Sequence, residues 1–318
     1  MTKVAINGFG RIGRAVTRII LEDHPELDLV AVNDLAEPAT LAHLFKYDTV
    51  YGTYKDEVKA EGDELLIGDK RIALLSKRDP EELPWKAMGV DIVLECTGLF
   101  RDCEGAEKHI RAGARKVIIS APSKEPQNIP SYVIGVNEEK MAEEDHHVID
   151  LGSCTTNCLA PILKVLDDAY GVKRGFMTTS HSYTSSQNLV DMGHSDLRRA
   201  RAAAENIVPT TTGAAKAIGR VMPGLDGKVD GMALRVPIPT VSILDLFCEL
   251  GRDVTADEVK DLFRERAQEG RYAGIIKVED APLVSSDYIG SKFSAVVDAP
   301  FVMANGNLVK IVAWYDNE

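Results

Sequence analysis

The sequence of 318 residues predicts two domains in series: a doubly wound α/β domain built on a parallel sheet, then an α+β domain with a mostly antiparallel sheet. Three observations carry this reading. In the first half, short apolar strands alternate with segments of helical period, the pattern of parallel strands joined by crossover helices. A glycine-rich turn stands between the first strand and the first helix. From Val172 onward, long strand-like stretches follow one another with few helices between them.

Composition bounds the function. The length suffices for two domains, each with its own core, and 45% hydrophobic residues with mixed charges describe a globular chain. No apolar run approaches the roughly 20 residues that span a bilayer. A strand-like segment begins at Lys3, so no signal peptide is expected. The five cysteines (96, 103, 154, 158 and 248) are an odd set without disulfide-framework spacing, which points to a reducing, cytoplasmic setting. Cys154 and Cys158 lie four apart with no His-rich partner, so no metal site is expected. A net charge of −12 disfavours nucleic acid as the main partner, yet leaves room for a local basic site that binds a small anion.

In chain order, residues 4–7 form the first strand, and Gly8-Phe9-Gly10-Arg11-Ile12-Gly13 follows at once. Residues 14–21 then read as a helix, with Ile12, Val16, Ile19 and Ile20 on one face. In this strand–turn–helix context Gly8, Gly10 and Gly13 let the backbone approach a pyrophosphate seated on the helix N-terminus, as in a Rossmann-type domain. A second strand, residues 29–33, ends in Asp34, about 20 residues past the last glycine, where a carboxylate binds the adenosine ribose and repels a 2′-phosphate. NAD is therefore favoured over NADP. Residues 91–95 form a strand ending in Cys96-Thr97-Gly98, residues 103–112 a helix, and residues 116–120 a strand ending at Ser120. Ligands bind beyond the carboxyl ends of such strands, so Thr97 and Ser120 point at the cofactor crevice. Cys96 and Cys103 have no charged activators in the sequence around them and read as structural.

Residues 147–150 form a further strand, and Gly152 permits a tight turn into Ser153-Cys154-Thr155-Thr156-Asn157-Cys158. A helix is predicted over residues 159–169, which sets Cys154 at or near its N-terminus. There the orphan N–H groups favour a thiolate, so Cys154 reads as a nucleophile. The domain border is expected close to it, at 1–152 and 153–318, which would set the sulfur over the nicotinamide. Beyond it, strands are predicted at 175–181, 229–236, 242–250, 293–298 and 308–315. Helices are predicted at 197–206, 212–221 and 255–269, the last opened by a Thr255/Glu258 capping box. His181, at the end of a strand, is the candidate partner for Cys154: an imidazolium would lower the thiol pKa, and an imidazole could take a proton. His194 is its rival, and spacing does not separate them. Thr210-Thr211-Thr212-Gly213 leads into a helix and suits an anion; Arg235, just before Pro237, could bind a phosphate by its planar fork.

Taken together, Asn7-Gly8-Phe9-Gly10-Arg11-Ile12-Gly13-Arg14, the run 153–161, His181-Ser182-Tyr183-Thr184, Asp196-Leu197-Arg198-Arg199-Ala200-Arg201, 209–216, 231–237 and 314–318 resemble the phosphorylating glyceraldehyde-3-phosphate dehydrogenases. The resemblance covers residues 3–318. It implies an NAD-binding Rossmann domain, a catalytic α+β domain, usually a homotetramer, and oxidation of glyceraldehyde 3-phosphate through a hemithioacetal and a thioester on Cys154. By the same resemblance His181 is activator and base, while Ser153, Thr155, Thr212 and Gly213 surround the attacking inorganic phosphate. Thr184, Arg199 and Arg235 hold the substrate's phosphate, and Arg11, Ile12, Asp34, Arg78, Ser120 and Asn317 contact NAD.

The sequence departs from that pattern at several places. Leu151-Gly152 replaces Asn-Ala before the nucleophile, and Ser185-Ser186 replaces Asn-Asp, removing an acid from the substrate-phosphate site. Asp191-Met192-Gly193-His194 replaces a Leu-Pro pair, which leaves room for some use of NADP. The family's helix after Trp-Tyr-Asp-Asn-Glu is not in this sequence, and its loss is expected to expose an apolar groove on the first domain and to loosen Asn317. Two alternatives stand beside the first reading: an erythrose-4-phosphate dehydrogenase of the same superfamily, and a non-catalytic homologue that uses Cys154 as a redox sensor.

Overall fold

The computed structural model describes residues 1–143 and 146–318. The chain divides into two units, Met1–Tyr132 with Met141–Gly152, and Val133–Lys140 with Ser153–Glu318. The short segment Val133–Lys140 counts with the second unit because Val133 and Val136 pack in that unit's core.

Among the described residues, the first unit is built on an eight-stranded sheet. From edge to edge it runs Val148–Asp150, Lys116–Ile119, Ile92–Glu95, Thr2–Asn7, Leu27–Asn33, Lys70–Leu75, Glu64–Ile67 and Val58–Glu61. The first six are parallel to one another and the last two join as antiparallel hairpins. The parallel strands are short and nearly continuous in apolar residues because helices cover them: Ile6, Ala31, Val32, Val93 and Val117 have no exposed surface. The helix Arg11–Asp23 starts three residues earlier than its apolar period predicts and buries Gly13, Thr17 and Ile20, while Ile19 faces solvent. Asp102 caps the helix Cys103–Arg111 by accepting from the Gly105 N–H at 2.9 Å. The stretch between Asp34 and Val90, where the sequence reading placed no element, holds the helix Pro38–Lys46 and the two hairpin strands, and Phe45 and Leu65 from it are fully buried.

The second unit carries a seven-strand path: Val208–Thr211, Val229–Val236, Val172–Ser182, Ser242–Leu250, Leu308–Tyr315, Ala295–Asp298 and Ile276–Glu279, with Met303–Asn305 paired to Leu308–Tyr315. Most pairings are antiparallel, as expected, but Val172–Ser182 runs parallel to Val229–Val236 and Ile276–Glu279 parallel to Ala295–Asp298. One face is covered by the helix Cys154–Tyr170, whose Leu159, Ile162, Leu163 and Leu166 are wholly buried beside Leu244, Leu246 and Ile311. The capping box holds: Thr255 Oγ1 accepts from Glu258 N and the Glu258 carboxylate accepts from Thr255 N, opening Ala256–Arg266.

One element is corrected. Residues 197–206 form turns, not a helix. Here side chains capture the backbone groups a helix would need: Asp196 accepts from Arg198 N, Asp191 from Ala202 N, and Asn206 donates to the Ala202 carbonyl. Leu197, which would open the apolar face, is 82% exposed.

Candidate functional site

In the second unit the sequence-predicted nucleophile is the first residue of the helix Cys154–Tyr170. Ser153 is its cap: the hydroxyl accepts from Thr156 N at 3.1 Å and lies 2.7 Å from the Thr156 hydroxyl. The strand Val172–Ser182 delivers His181 to the same place, with Nε2 3.3 Å from the Cys154 sulfur. Fold, not spacing, decides between the two histidines. His194 stays in its own loop, its Nδ1 accepting from Asp196 N at 2.9 Å.

A polar network holds the His181 ring. Nδ1 lies 2.7 Å from the Ser182 carbonyl and 2.9 Å from Arg235 Nη1, and Arg235 Nη1 itself donates to that carbonyl at 2.9 Å. Arg235 thus bridges the carbonyl and the ring, and Nε2 is held towards the sulfur. Burial and the Arg235 charge hold His181 down at about 4, so the ring is a neutral base at physiological pH. The sequence reading left imidazolium and imidazole both open; desolvation selects the imidazole. Burial pushes the Cys154 thiol up, while hydrogen bonds from Thr155 and the positive charge of Arg235 pull it the other way. Cys158, one turn on, is also buried and pushed well up, and carries no activator.

Two arginines gather beside this pair. Arg235 Nη1 reaches Thr184 Oγ1 at 3.5 Å, Thr184 Oγ1 sits 2.9 Å from Ser186 Oγ, and the Arg235 Nε is buried without a partner. Arg199 donates to Thr210 Oγ1 at 2.9 Å and to the Thr211 carbonyl at 3.3 Å. Burial and the Arg199 charge both lower the Arg235 pKa, and although Asp196 lies 3.7 Å from Arg199 Nε, two guanidinium groups gathered here suit an anion. Thr212 accepts from Ala214 N at 3.2 Å, and Gly213, the cap of Ala214–Val221, has open space where a side chain would stand. Thr155 differs from the expectation in aim: its hydroxyl turns inward to the Tyr315 hydroxyl at 2.8 Å. The Asn317 side-chain oxygen accepts from the Ser182 and Ser242 hydroxyls at 2.8 and 3.0 Å, leaving its NH2 as the group to offer a ligand.

Tyr315 is the residue the sequence reading missed. It is almost completely buried, bonds the Thr155 and Thr179 hydroxyls at 2.8 Å each, and packs edge-on against His181. Its sequence signal is faint, an aromatic on the inward phase of an alternating strand.

The first unit gathers the sequence-predicted cofactor residues at the carboxyl ends of its central strands. Gly8 has φ +95°, and a Cβ there would stand 2.7 Å from Thr97 N; a Cβ on Gly13 would stand 2.1 Å from the Gly8 carbonyl oxygen. Gly10 caps Arg11–Asp23 and, as a glycine, makes no side-chain cap bond, with open space where a side chain would stand. Asp34 accepts from Phe9 N at 2.8 Å and from Ala36 N at 3.0 Å, so one carboxylate ties the glycine-rich turn to the end of the second strand. A helix start capped by glycine and cradled by further glycines, with a carboxylate alongside, fits a dinucleotide. Ile12 is half-buried in that first turn, Arg78 is exposed, and Ser120 donates its N–H to the Glu95 carbonyl at 3.0 Å. Arg11 pairs with Asp48 and lies over the Tyr51 ring. The Thr97 hydroxyl is engaged within the chain, by Glu95 and by Leu99 N.

Comparison with known proteins follows the two units. A family model described as "Glyceraldehyde 3-phosphate dehydrogenase, NAD binding domain" matches residues 2–103, and one described as "Glyceraldehyde 3-phosphate dehydrogenase, C-terminal domain" matches residues 153–317. The glyceraldehyde-3-phosphate dehydrogenase of Geobacillus stearothermophilus is 54% identical over 317 residues, covering 99% of this chain and 93% of the relative. That of Streptomyces coelicolor is 52% identical over 99% of this chain and 94% of its own, and glyceraldehyde-3-phosphate dehydrogenase 1 of Bacillus subtilis 53% over 99% and 93%.

Proposed function

This chain belongs to the glyceraldehyde-3-phosphate dehydrogenase family, and from that premise we propose that it converts glyceraldehyde 3-phosphate, NAD and inorganic phosphate to 1,3-bisphosphoglycerate. The observation that carries the chemistry is the 3.3 Å approach of Cys154 sulfur to Nε2 of a His181 ring whose pKa burial and Arg235 hold down at about 4. As Cys154 attacks the aldehyde carbon, Nε2 takes the thiol proton and hands it to the new hydroxyl of the hemithioacetal. NAD, held by the glycine-rich turn and Asp34, supplies when bound the hydride acceptor that makes oxidation of the adduct to a thioester feasible. His181 withdraws the hydroxyl proton in that step, and the Nδ1 bond to Ser182 keeps the ring aimed. Phosphate then displaces the sulfur, with Ser153, Thr212 and Gly213 as its cradle and Thr155 turned inward to Tyr315, while Thr184, Arg199 and Arg235 hold the substrate's own phosphate.

Support for a homotetramer comes from the uncovered face of the second unit's sheet, where Phe176 and Phe247 are cross-strand neighbours and Phe176, Phe247 and Met232 are 72%, 49% and 38% exposed. Among the described residues no helix is long and apolar enough to cross a membrane, and all five cysteines are free, in keeping with a cytoplasmic enzyme. The relatives give no support to erythrose 4-phosphate as the preferred substrate. The test is NADH formation from glyceraldehyde 3-phosphate with and without inorganic phosphate, beside Cys154→Ala. Phosphate-dependent turnover that vanishes in the variant is expected; turnover indifferent to phosphate would reject the proposed acceptor.

A further inference from the structure

Beneath the glycine-rich turn lies a carboxylate that the chemistry above does not use. Glu95 ends the strand Ile92–Glu95 and has no exposed surface, nor has His109 beside it. Its Oε2 accepts from Asn7 Nδ2 at 2.6 Å and from His109 Nε2 at 3.2 Å. Its Oε1 accepts from Thr97 N at 2.8 Å and from the Thr97 hydroxyl. On the far side of the imidazole, the Trp85 indole donates to His109 Nδ1 at 3.0 Å. An indole N–H can only donate, so Nδ1 carries no proton and the ring's single proton sits on Nε2, aimed at Glu95.

The Thr97 and Asn7 branches of this network lead to turns of the cofactor floor. Thr97 N is the atom 2.7 Å from where a Gly8 Cβ would stand, so the turn after Glu95 abuts the glycine-rich loop directly. Asn7 precedes Gly8, and its side-chain oxygen accepts from Asn33 Nδ2 at 2.7 Å. Asn33 precedes Asp34 and binds both the N–H and the carbonyl of Lys77, at 2.8 and 2.9 Å, next to Arg78. Backbone bonds follow the same path, with Gly8 N donating to the Asn33 carbonyl and Cys96 N to the Asn7 carbonyl. One carboxylate thus sets the relative positions of four turns that carry Gly8, Asp34, Arg78 and Thr97.

We propose that Glu95, oriented by His109 and Trp85, is a positioning residue for NAD: it touches no part of the dinucleotide and fixes the turns that do. The inference rests on the NAD reading of the preceding section. Replacing one acceptor oxygen by an amide NH2 in Glu95→Gln keeps size and shape but sets donor against donor, at Asn7 and His109 in one amide orientation and at Thr97 N in the other, so the floor must shift.

The experiment is calorimetric binding of NAD to the full chain in wild-type, E95Q and W85F forms. E95Q is expected to raise the NAD Kd about tenfold or more, the scale of a lost hydrogen bond to a charged group. W85F keeps the carboxylate but frees His109 to turn a lone pair towards it, and about a threefold rise is expected. The KM for NAD rises in step, whereas kcat at saturating NAD and the KM for the aldehyde phosphate stay within about twofold of wild type, a split that general loosening of the fold would not give. A wild-type chain that fails to bind NAD would remove the premise. Tight NAD binding by wild type and equally tight binding by E95Q, or by W85F should E95Q not fold, would overturn the positioning role alone.

Discussion

Acid should destabilise the second unit through one residue. His181 is buried, its imidazole held at about 4 by desolvation and by Arg235, against an ordinary value of 6.5 in the unfolded chain. Between those values the unfolded chain binds a proton that the folded chain refuses, so stability falls as pH drops below about 6.5 and the loss is complete once pH passes below about 4. From pH 7 to pH 4.5 the loss works out at roughly 2 kcal/mol, from a separation of about 2.5 pKa units at about 1.4 kcal/mol each, not yet fully expressed at the lower pH. His181→Asn removes the titration while keeping a polar side chain that can donate to the Ser182 carbonyl. Urea unfolding of both proteins across this range gives the assay, and the quantity to follow is their stability difference at each pH. It should change by roughly 2 kcal/mol in favour of the variant as the solution is acidified. Stability curves that run parallel would refute the reasoning, for they would mean that His181 takes up its proton over the same pH range in the folded chain as in the unfolded one.

Three further outcomes follow from the same geometry. Tyr315→Phe keeps the volume but leaves the Thr155 and Thr179 hydroxyls without a partner in the core, and should cost about 2 kcal/mol in urea unfolding. Gly8→Ala puts a methyl group against the Thr97 backbone at φ +95° and should weaken NAD binding by about tenfold or more, read by fluorescence titration, while the alkylation rate of Cys154 in the absence of NAD is retained. Asp34→Asn removes the charge that repels a 2′-phosphate, so the ratio of kcat/KM for NADP to that for NAD should rise by about tenfold; an unchanged ratio would place the discrimination elsewhere.

How much of the site was legible depended on how local its signals are. The dinucleotide turn was readable because three glycines, one strand, one helix and one acid lie within a single βαβ unit, and each is required by backbone geometry. Cys154 was readable for a similar reason: the strand before it and the apolar helix after it leave the thiol at the helix start. The limit appeared at residues 197–206, where composition suggested a helix but Asp191, Asp196 and Asn206 take the backbone groups for themselves. It appeared again between Asp34 and Val90, where short hairpin strands carry too few residues for any period to stand out.

By itself, then, the sequence determined the order of the two domains, NAD as the cofactor, the glycine-rich turn between strand and helix, and the cysteine at the start of the second unit's long helix. Tertiary structure alone decided which histidine meets Cys154, that burial and Arg235 lower this histidine's pKa, that Thr155 turns inward to Tyr315, and that Glu95 lies under the glycine-rich turn. The physical reason is common to all four. Pairings such as Cys154 with His181, or Glu95 with Asn7, join strands and helices far apart in the chain. Protonation follows from desolvation and neighbouring charge, quantities that exist only once the chain has closed around the group.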